Sequence, residues 1–265
     1  MKISTCSTRP ILVPCELEFL DYQVDPYIGC RHHCYYCYAL NQAETDWNEE
    51  ILFHKDITGQ LSEELDKISP QKTILLGYYS DPYQSYEAEY RQTRKVLELF
   101  LKKGISFSIL TKSKLITRDI DILKEMDNAS VGVSVAFTDN KIRRRFEANA
   151  ANTEQRIRTL CILSEAGIPT YALISPVIPY ITDVISLIGM LEPYTDNIWI
   201  SGLNINEISD RNRKNIQDIL EVHFPDLQEQ IETVIMSKDH LYWDQLRQDL
   251  HDLQNDKQLN LSILL

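Results

Sequence analysis

Glycine is scarce in this chain, with 8 residues in 265, and the glycines form no phosphate-binding pattern. Neither the dinucleotide fingerprint G-x-G-x-x-G nor a P-loop occurs, which argues against a nucleotide site built on a glycine-rich loop. Long apolar runs are also absent, so the sequence predicts no membrane span and no membrane partner. The first 18 residues lack the apolar core of a signal peptide, which predicts a cytoplasmic protein.

Positive charge is scarce in the C-terminal part of the chain. Residues 1–160 carry 21 Lys and Arg against 23 Asp and Glu, whereas residues 161–265 carry 6 against 16. Because nucleic acid is bound mainly through its phosphates, this acidic part would repel it. Basic runs at 91–95 and 141–145 are interpreted as solvated helix faces, with nucleic-acid binding through 141–145 as the weaker alternative.

Strand-like and helix-like segments alternate along most of the chain. Short apolar segments predict strands at Phe19–Val24, Thr73–Tyr79, Ile105–Thr111, Ser130–Ala136, Thr170–Ser175 and Asn197–Ile200. Helical spacing predicts helices at Ile57–Ile68, Glu87–Lys102, Arg118–Met126, Thr153–Glu165 and Asp183–Leu191. Six such βα units predict an α/β fold, a partial (β/α)6 barrel of the TIM type with helices outside a parallel sheet.

The tail of the chain departs from this alternation. After residue 210 it is acidic and has helical spacing over 216–222, 227–235 and 241–253. We therefore predict a barrel core at 1–210 and an acidic C-terminal helical extension at 211–265 that packs on the core. Reactive groups of parallel sheets gather where the strands end, so the site is expected there.

Three of the six cysteines form the pattern C-x3-C-x2-C: Cys30, Cys34 and Cys37. Without an export signal, such cysteines indicate metal ligands rather than a disulfide framework. Three thiolates on a four-iron cluster leave one iron open to chelate a small molecule. A structural zinc with His32 or His33 as the fourth ligand is the alternative, although no second Cys/His pair follows.

The segment DPYIGCRHHCYYCYA at 25–39 resembles the cysteine loop of the radical S-adenosylmethionine (SAM) superfamily. Similarity to its spore photoproduct lyase branch, also described as DNA-repair-photolyase-like, continues through YSDPYQ at 79–84, LTKS at 110–113, GVS at 132–134, RFEA at 145–148 and SPVIP at 175–179. The resemblance implies a [4Fe–4S] cluster held by the three cysteines. It further implies reductive cleavage of SAM to a 5′-deoxyadenosyl radical, which takes a hydrogen atom from a substrate.

The resemblance also implies which residues bind the cofactor. Tyr36 and Tyr38 flank the last cysteine and would contact the adenine. Ser80 would help to bind SAM at its methionine end, and Lys112 would neutralise the SAM carboxylate. Ser134 matches a further SAM-contacting serine.

Tyr78 and Asp81 are the predicted catalytic residues. The Asp81 carboxylate suits the ribose of SAM, although Asp-Pro also commonly starts a turn. Tyr78 occupies the position at which spore photoproduct lyase has a cysteine that returns a hydrogen atom to the product. A phenol can donate a hydrogen atom, but its O–H bond is stronger than a thiol S–H bond.

This departure, the acidic tail and the 29 residues before Cys30 disfavour duplex DNA as the substrate. We expect a small molecule, a peptide or a nucleotide instead, with a flavodoxin or ferredoxin as the one-electron donor. Two alternatives stay open, a DNA-lesion lyase similar to spore photoproduct lyase and a non-catalytic metal or electron-transfer protein.

Other residues have less specific expectations. Glu147 and Arg156 are expected to form an ion pair on the surface. Cys161 is next to Leu160 on the apolar stripe of its helix, which predicts a buried thiol. Cys6 and Cys15 precede the barrel core, and either is a candidate hydrogen donor folded over the site.

Overall fold

The computed structural model describes residues 2–6, 9–17, 19–43, 45–69, 72–205, 207 and 209–265. Within these ranges the strands are β1 (Lys2–Cys6), β2 (Leu12–Pro14), β3 (Tyr22–Val24), β4 (Tyr27–Ile28), β5 (Glu50–His54), β6 (Thr73–Leu76), β7 (Ser106–Thr111), β8 (Ala129–Ser134), β9 (Thr170–Val177), β10 (Asn197–Gly202) and β11 (Leu261–Leu264).

The helices follow the strands in alternation through most of the chain. They are α1 (Ile57–Leu65), α2 (Glu87–Tyr90), α3 (Gln92–Lys103), α4 (Ile120–Leu123), α5 (Asn140–Phe146), α6 (Thr153–Glu165), α7 (Val184–Leu191), α8 (Arg211–His223), α9 (Gln228–Ile235) and α10 (Leu241–Lys257). In the described part of the chain, no helix is both long and apolar enough to cross a membrane.

The main sheet has the strand order β11-β10-β9-β8-β7-β6-β3-β2. All neighbouring strands are parallel except β2 and β3, which are antiparallel. This arrangement confirms the α/β prediction of a mostly parallel sheet of the partial-barrel kind. The parallel strands all end at one edge of the sheet, which we call the mouth, and the predicted site residues follow those ends.

The sheet is curved enough to bring its two sides together. Phe19, just before β3, and Trp199, in β10, stack with ring centroids 5.2 Å apart although four strands separate β3 from β10. On the concave side, the Tyr171 hydroxyl donates to the Ile109 carbonyl at 3.3 Å and lies 3.0 Å from Ser108 Oγ. Tyr171 therefore fills part of the barrel interior.

Several predicted boundaries differ from the structure. The predicted strand Thr73–Tyr79 ends at Leu76, because Gly77 turns the chain with a φ of 91°. A Cβ on Gly77 would lie 2.5 Å from Pro82 Cδ, so the turn has no room for a side chain. The predicted helix Glu87–Lys102 is broken into α2 and α3 at Arg91, which has a φ of 51°.

The tail forms α8, α9 and α10, and then β11. Sequence analysis predicted only helices there, yet β11 pairs in parallel with β10 from Ile198↔Leu261 to Ser201↔Leu264. The tail thus supplies a strand of the main sheet. A second, smaller sheet of β1, β5 and β4, with the order β1-β5-β4, was also not predicted.

Candidate active site

Two tight turns shape the cysteine loop, which follows β4. The His33 amide donates to the Cys30 carbonyl at 3.2 Å, and the Cys37 amide donates to the Cys34 carbonyl at 3.0 Å. Cys30 and Cys34 are buried, and Cys37 is partly buried. Because the turns fold eight residues into a compact loop, the three thiols lie in one small region.

Two fully buried amide side chains hold the backbone of this loop. The Gln84 side chain accepts from the Arg31 amide at 2.8 Å and donates to the Gly29 carbonyl at 3.0 Å. From α8, Asn212 Nδ2 donates to the Tyr36 carbonyl at 3.3 Å. The loop is therefore fixed by one residue beyond β6 and by one residue of the tail.

Burial sets the protonation state of the thiols. It raises the pKa of Cys30 to about 12, with the charges of Asp81 and Cys37 adding to the effect. It also raises the pKa of Cys34 and of Cys37, although Lys112 acts in the opposite direction on both. Burial thus disfavours the thiolate forms, and metal binding would release the protons of the thiols.

The donor set does not fit a single metal ion. Among the residues that the structure describes, no three His, Cys, Asp or Glu side chains converge on one point as ligands of one ion. A structural zinc needs four ligands at about 2.0–2.3 Å. In a four-iron cluster each cysteine binds a different iron, so its three thiols surround the cluster rather than converge. The described residues therefore contain no preformed site for a single ion such as structural zinc.

Asp81 connects the cysteine loop to the strand ends. Its amide donates to Cys30 Sγ at 3.4 Å, and its carboxylate accepts from Thr111 Oγ1 and from the Lys112 amide, both at 2.7 Å. His32 Nδ1 lies 3.2 Å from Asp81 Oδ2. Burial opposes ionisation, but His32 and these hydrogen bonds outweigh it and lower the pKa of Asp81 to about 2. Both carboxylate oxygens thus have partners, which favours a positioning role for Asp81.

Asp25 holds the loop that carries Ser80, and sequence analysis missed it. Its Oδ1 accepts from the amides of Tyr79 at 2.9 Å and Ser80 at 2.8 Å. Burial raises the pKa of Asp25 to about 6, although these amides oppose the shift. Ser80 is buried and donates its hydroxyl to the Tyr27 carbonyl at 2.8 Å. Asp25 directly follows β3, and this position at a strand end is the signal by which it could have been found.

A buried network lies behind the cysteine loop. The Tyr36 hydroxyl donates to Glu147, and Glu147 forms an ion pair with Arg156. The expectation of a surface pair was wrong, because the side chains of Glu147 and Arg156 are only 0% and 1% exposed. Arg156 Nη1 also donates to the Ser134 carbonyl at 2.9 Å, which ties the network to β8. Ser134 itself is fully buried, with Oγ 3.5 Å from the Ser175 carbonyl.

Lys112 brings a positive charge to the mouth. Its Nζ lies 5.7 Å from the centroid of the Tyr36 ring. Burial would lower the pKa of Lys112, but Cys34, Glu147 and Asp81 outweigh it and raise the pKa overall. In the described part of the chain, no carboxylate forms an ion pair with Lys112. A protonated ammonium without a close carboxylate is suited to bind one from a ligand.

Three tyrosines form a separate group at the mouth. The Tyr38 hydroxyl donates to the Tyr78 carbonyl at 2.6 Å, and the Tyr38 and Tyr78 rings lie 5.4 Å apart. Glu16 accepts from the hydroxyl of Tyr78 at 3.1 Å and from that of Tyr79. Burial, and then Glu16, raise the pKa of Tyr78 to about 12, so its phenol keeps its proton.

The two other cysteines lie on secondary-structure elements. Cys6 is in β1, with Sγ 3.8 Å from His54 Nδ1. Cys161 is partly exposed on α6 and donates to Glu165 Oε1 at 3.4 Å, so the prediction of a buried thiol was wrong. The apolar stripe of α6 runs through Leu160 and Leu163, and Cys161 lies beside it.

A curved parallel sheet with a three-cysteine loop at its mouth is typical of enzymes that bind an iron–sulfur cluster at the strand ends. The chain belongs to the radical SAM superfamily, whose sequence profile matches residues 24–185. Members of this superfamily are enzymes that use SAM and an iron–sulfur cluster. The chain is therefore a radical SAM enzyme, which sets aside the non-catalytic alternative.

Known proteins similar to this chain agree with that assignment. An uncharacterized protein of Methanocaldococcus jannaschii is 29% identical over 217 residues, which is 80% of each chain. A variant of spore photoproduct lyase with bound SAM and dinucleoside spore photoproduct has a TM-score of 0.63 at 13% identity, covering 83% of this chain and 66% of the lyase. Streptococcus suis SuiB bound to SAM has a TM-score of 0.59 at 14% identity, covering 91% and 49%. At such identities the two structures show the fold alone.

Proposed function

We propose that Cys30, Cys34 and Cys37 hold a [4Fe–4S] cluster at which SAM is cleaved for radical chemistry on a substrate. When bound and reduced, such a cluster supplies the electron that cleaves the sulfonium of SAM to a 5′-deoxyadenosyl radical, which abstracts a hydrogen atom. One observation carries the proposal: three buried or partly buried thiols and the protonated Lys112 meet at the mouth of the sheet.

The residues around the thiols would bind and orient SAM. Lys112 would neutralise its carboxylate, and Ser80 would contact its methionine end. The Tyr36 ring, held by its bond to Glu147, and Tyr38 would contact the adenine. Ser134 would line the site from β8.

Asp81 would position the residues of the site, and Tyr78 would take part in the hydrogen transfer. Asp81 would fix the end of β7 relative to the cysteine loop. Its carboxylate accepts hydrogen bonds from Thr111 and from the Lys112 amide, and its own amide donates to Cys30 Sγ. Tyr78 keeps its phenolic proton and would be the hydrogen donor near the substrate.

The substrate that we propose is a small molecule, a peptide or a nucleotide rather than duplex DNA. The bound ligands of the two similar structures include a dinucleoside for the lyase and a precursor peptide for SuiB, so the fold accommodates both classes. We further propose a cytoplasmic location and a flavodoxin or ferredoxin as the electron donor, because reduced thiols and Fe–S clusters persist in a reducing compartment.

The cluster is tested by removing one thiol. Cys34→Ala should abolish incorporation of iron and sulfide during anaerobic reconstitution, because three ligands are needed. Cys161→Ala is the matched control, since Cys161 lies on α6 outside the loop, and it should load as the wild type does. Iron and sulfide analysis with visible absorbance measures the result. Full loading of Cys34→Ala would refute the assignment.

A further inference from the structure

A cleft of about 480 Å³ opens beside the cysteine loop, on the side where α8 begins. His33 and Trp47 line it from the region of the loop, and Arg211, Lys214 and Asn215 line it from α8. Asn215 Nδ2 also donates to the carbonyl of Tyr35 at 3.1 Å, so this part of α8 touches the loop directly. The cleft thus lies against the outer surface of the segment that carries the cluster ligands.

Two cations of α8, Arg211 and Lys214, line this cleft. Of the 6 Lys and Arg in residues 161–265, three lie at 211–214. On the other side of the loop, the Tyr35 amide donates to the Phe146 carbonyl at the end of α5 at 2.9 Å, and α5 packs against α8. We call the exposed or partly exposed cations of these three adjoining segments the basic face: Arg31, Lys141, Arg144, Arg145, Arg211 and Lys214.

Negative charge contributes little to the lining of the cleft. Asp46 is the acidic residue among the described residues that line it, and its Oδ1 accepts from the Asn48 amide at 2.9 Å and from Asn48 Nδ2 at 3.0 Å. The chain as a whole has a net charge of −12. A cationic surface on an acidic protein attracts an acidic partner to that one place, because binding follows the local field rather than the net charge.

The position of the basic face, next to the cysteine loop, indicates the kind of partner that it binds. Cys30 and Cys34 are buried, with 8% and 7% of each residue exposed, whereas Tyr35, which directly follows Cys34, is 39% exposed. A donor that docks over Tyr35 would therefore lie next to Cys34, one of the proposed cluster ligands. A substrate would instead reach the cofactor through the mouth, where Tyr78 and Lys112 lie.

We propose that the basic face docks an acidic one-electron donor protein, of the flavodoxin or ferredoxin class, against the outer side of the cysteine loop. This inference rests on the proposed function. The donor loses one electron and the cluster gains it, with no group transferred. Complementary charge would chiefly speed the encounter and set the orientation of the donor.

The test reverses two charges and compares a charge-matched control. Arg211→Glu/Lys214→Glu changes the basic face, and Lys102→Glu/Lys257→Glu makes the same change in net charge at the ends of α3 and α10, where both lysines are exposed. Calorimetry measures the affinity of an acidic flavodoxin for the cluster-loaded and the cluster-free protein at low salt. We expect about a tenfold loss for the first variant, little change for the control, and weaker binding to the wild type as salt is added.

Activity gives a second readout. Formation of 5′-deoxyadenosine from SAM should fall in Arg211→Glu/Lys214→Glu when reduced flavodoxin is the donor, but not when the small reductant dithionite replaces it. Equal loss in the two double variants, or unchanged flavodoxin affinity in the first, overturns the proposal. A selective loss of affinity for a DNA duplex instead of flavodoxin overturns it in favour of nucleic acid. If the wild type cleaves no SAM with dithionite, the proposed function is refuted. The flavodoxin affinities of the wild type and the variants would still show whether the basic face binds the donor.

Discussion

A lysine that directly follows an apolar strand is a solvated loop residue in most proteins, but Lys112 is surrounded by the groups of the site. Its amide donates to Asp81 at 2.7 Å, its ammonium lies 5.7 Å from the Tyr36 ring centroid, and Cys34, Glu147 and Asp81 raise its pKa. Its backbone fixes the strand end, whereas its charge is the part that we propose binds the carboxylate of SAM.

Removing this charge should weaken SAM binding without removing the cluster. We expect Lys112→Ala to lose about 10- to 100-fold in SAM affinity, since a charge-assisted hydrogen bond contributes about 1.5–3 kcal/mol. Anaerobic calorimetry of the cluster-loaded protein measures this, together with its iron content. Lys114→Ala is the control, because Lys114 is exposed two residues further along the chain. Wild-type affinity in Lys112→Ala would remove this residue from the site.

Among the elements, β8 shows how the interior of the barrel is shaped. A Cβ on Gly132 would lie 2.2 Å from ring carbons of Tyr171, so the absence of a side chain in β8 makes room for the ring from β9. The Tyr171 hydroxyl then reaches Ser108 in β7. Gly132 is therefore needed for packing across three adjacent strands, two residues before the predicted SAM contact Ser134.

Gly132→Ala should displace the Tyr171 ring and destabilise the protein. Overpacking of an interior costs about 1–3 kcal/mol. Gly189→Ala is the matched control: this glycine lies in α7, its added Cβ would meet nothing within 4 Å, and alanine is favoured in helices by up to about 1 kcal/mol. Urea unfolding compares the two. Equal stabilities of the two variants would mean that the interior accommodates the methyl group without cost.

The predicted elements that are present in the structure are those in which apolar residues follow a clear pattern along the segment. Six parallel strands were predicted from such runs and are present, although β6 ends three residues earlier than expected. The two-residue β4 and the four-residue β11 are too short for a period to distinguish strand from helix or loop. β11 also follows a long helical tail, and only the exposed edge of β10 makes it a strand.

Motifs predicted the cysteines and the residues at strand ends, but not the contacts between distant segments. The burial of Glu147 depends on how the link between α5 and α6 passes behind the cysteine loop, which no local pattern encodes. The role of Asp25 depends likewise on the approach of the 79–80 turn. Both are tertiary facts about groups far apart in the sequence.

Over the whole molecule, two surfaces differ in their position in the fold and in the side chains that they carry. The basic face lies outside the cysteine loop, whereas the mouth contains Lys112 and the tyrosine group around Tyr78. Residues 161–265 carry 6 Lys and Arg against 16 Asp and Glu, and they include part of the main sheet through β9, β10 and β11. The acidic segment is therefore part of the barrel, because its strands β9, β10 and β11 form one side of the main sheet.

This distribution predicts that the chain does not repair the thymine lesion of spore DNA. Electrostatic attraction supplies most non-specific affinity for DNA, and a side of the barrel with a large excess of carboxylates opposes it. By the resemblance to spore photoproduct lyase, Tyr78 would replace a hydrogen-donating thiol, and a phenol O–H bond is stronger than a thiol S–H bond. The reduced, cluster-loaded protein, incubated with SAM and an oligonucleotide carrying spore photoproduct, should form 5′-deoxyadenosine but restore no thymine by mass spectrometry.

Spore photoproduct lyase under the same conditions is the positive control. Restored thymine in proportion to the enzyme would show that Tyr78, or a cysteine such as Cys15, completes the transfer, and DNA would return as a substrate.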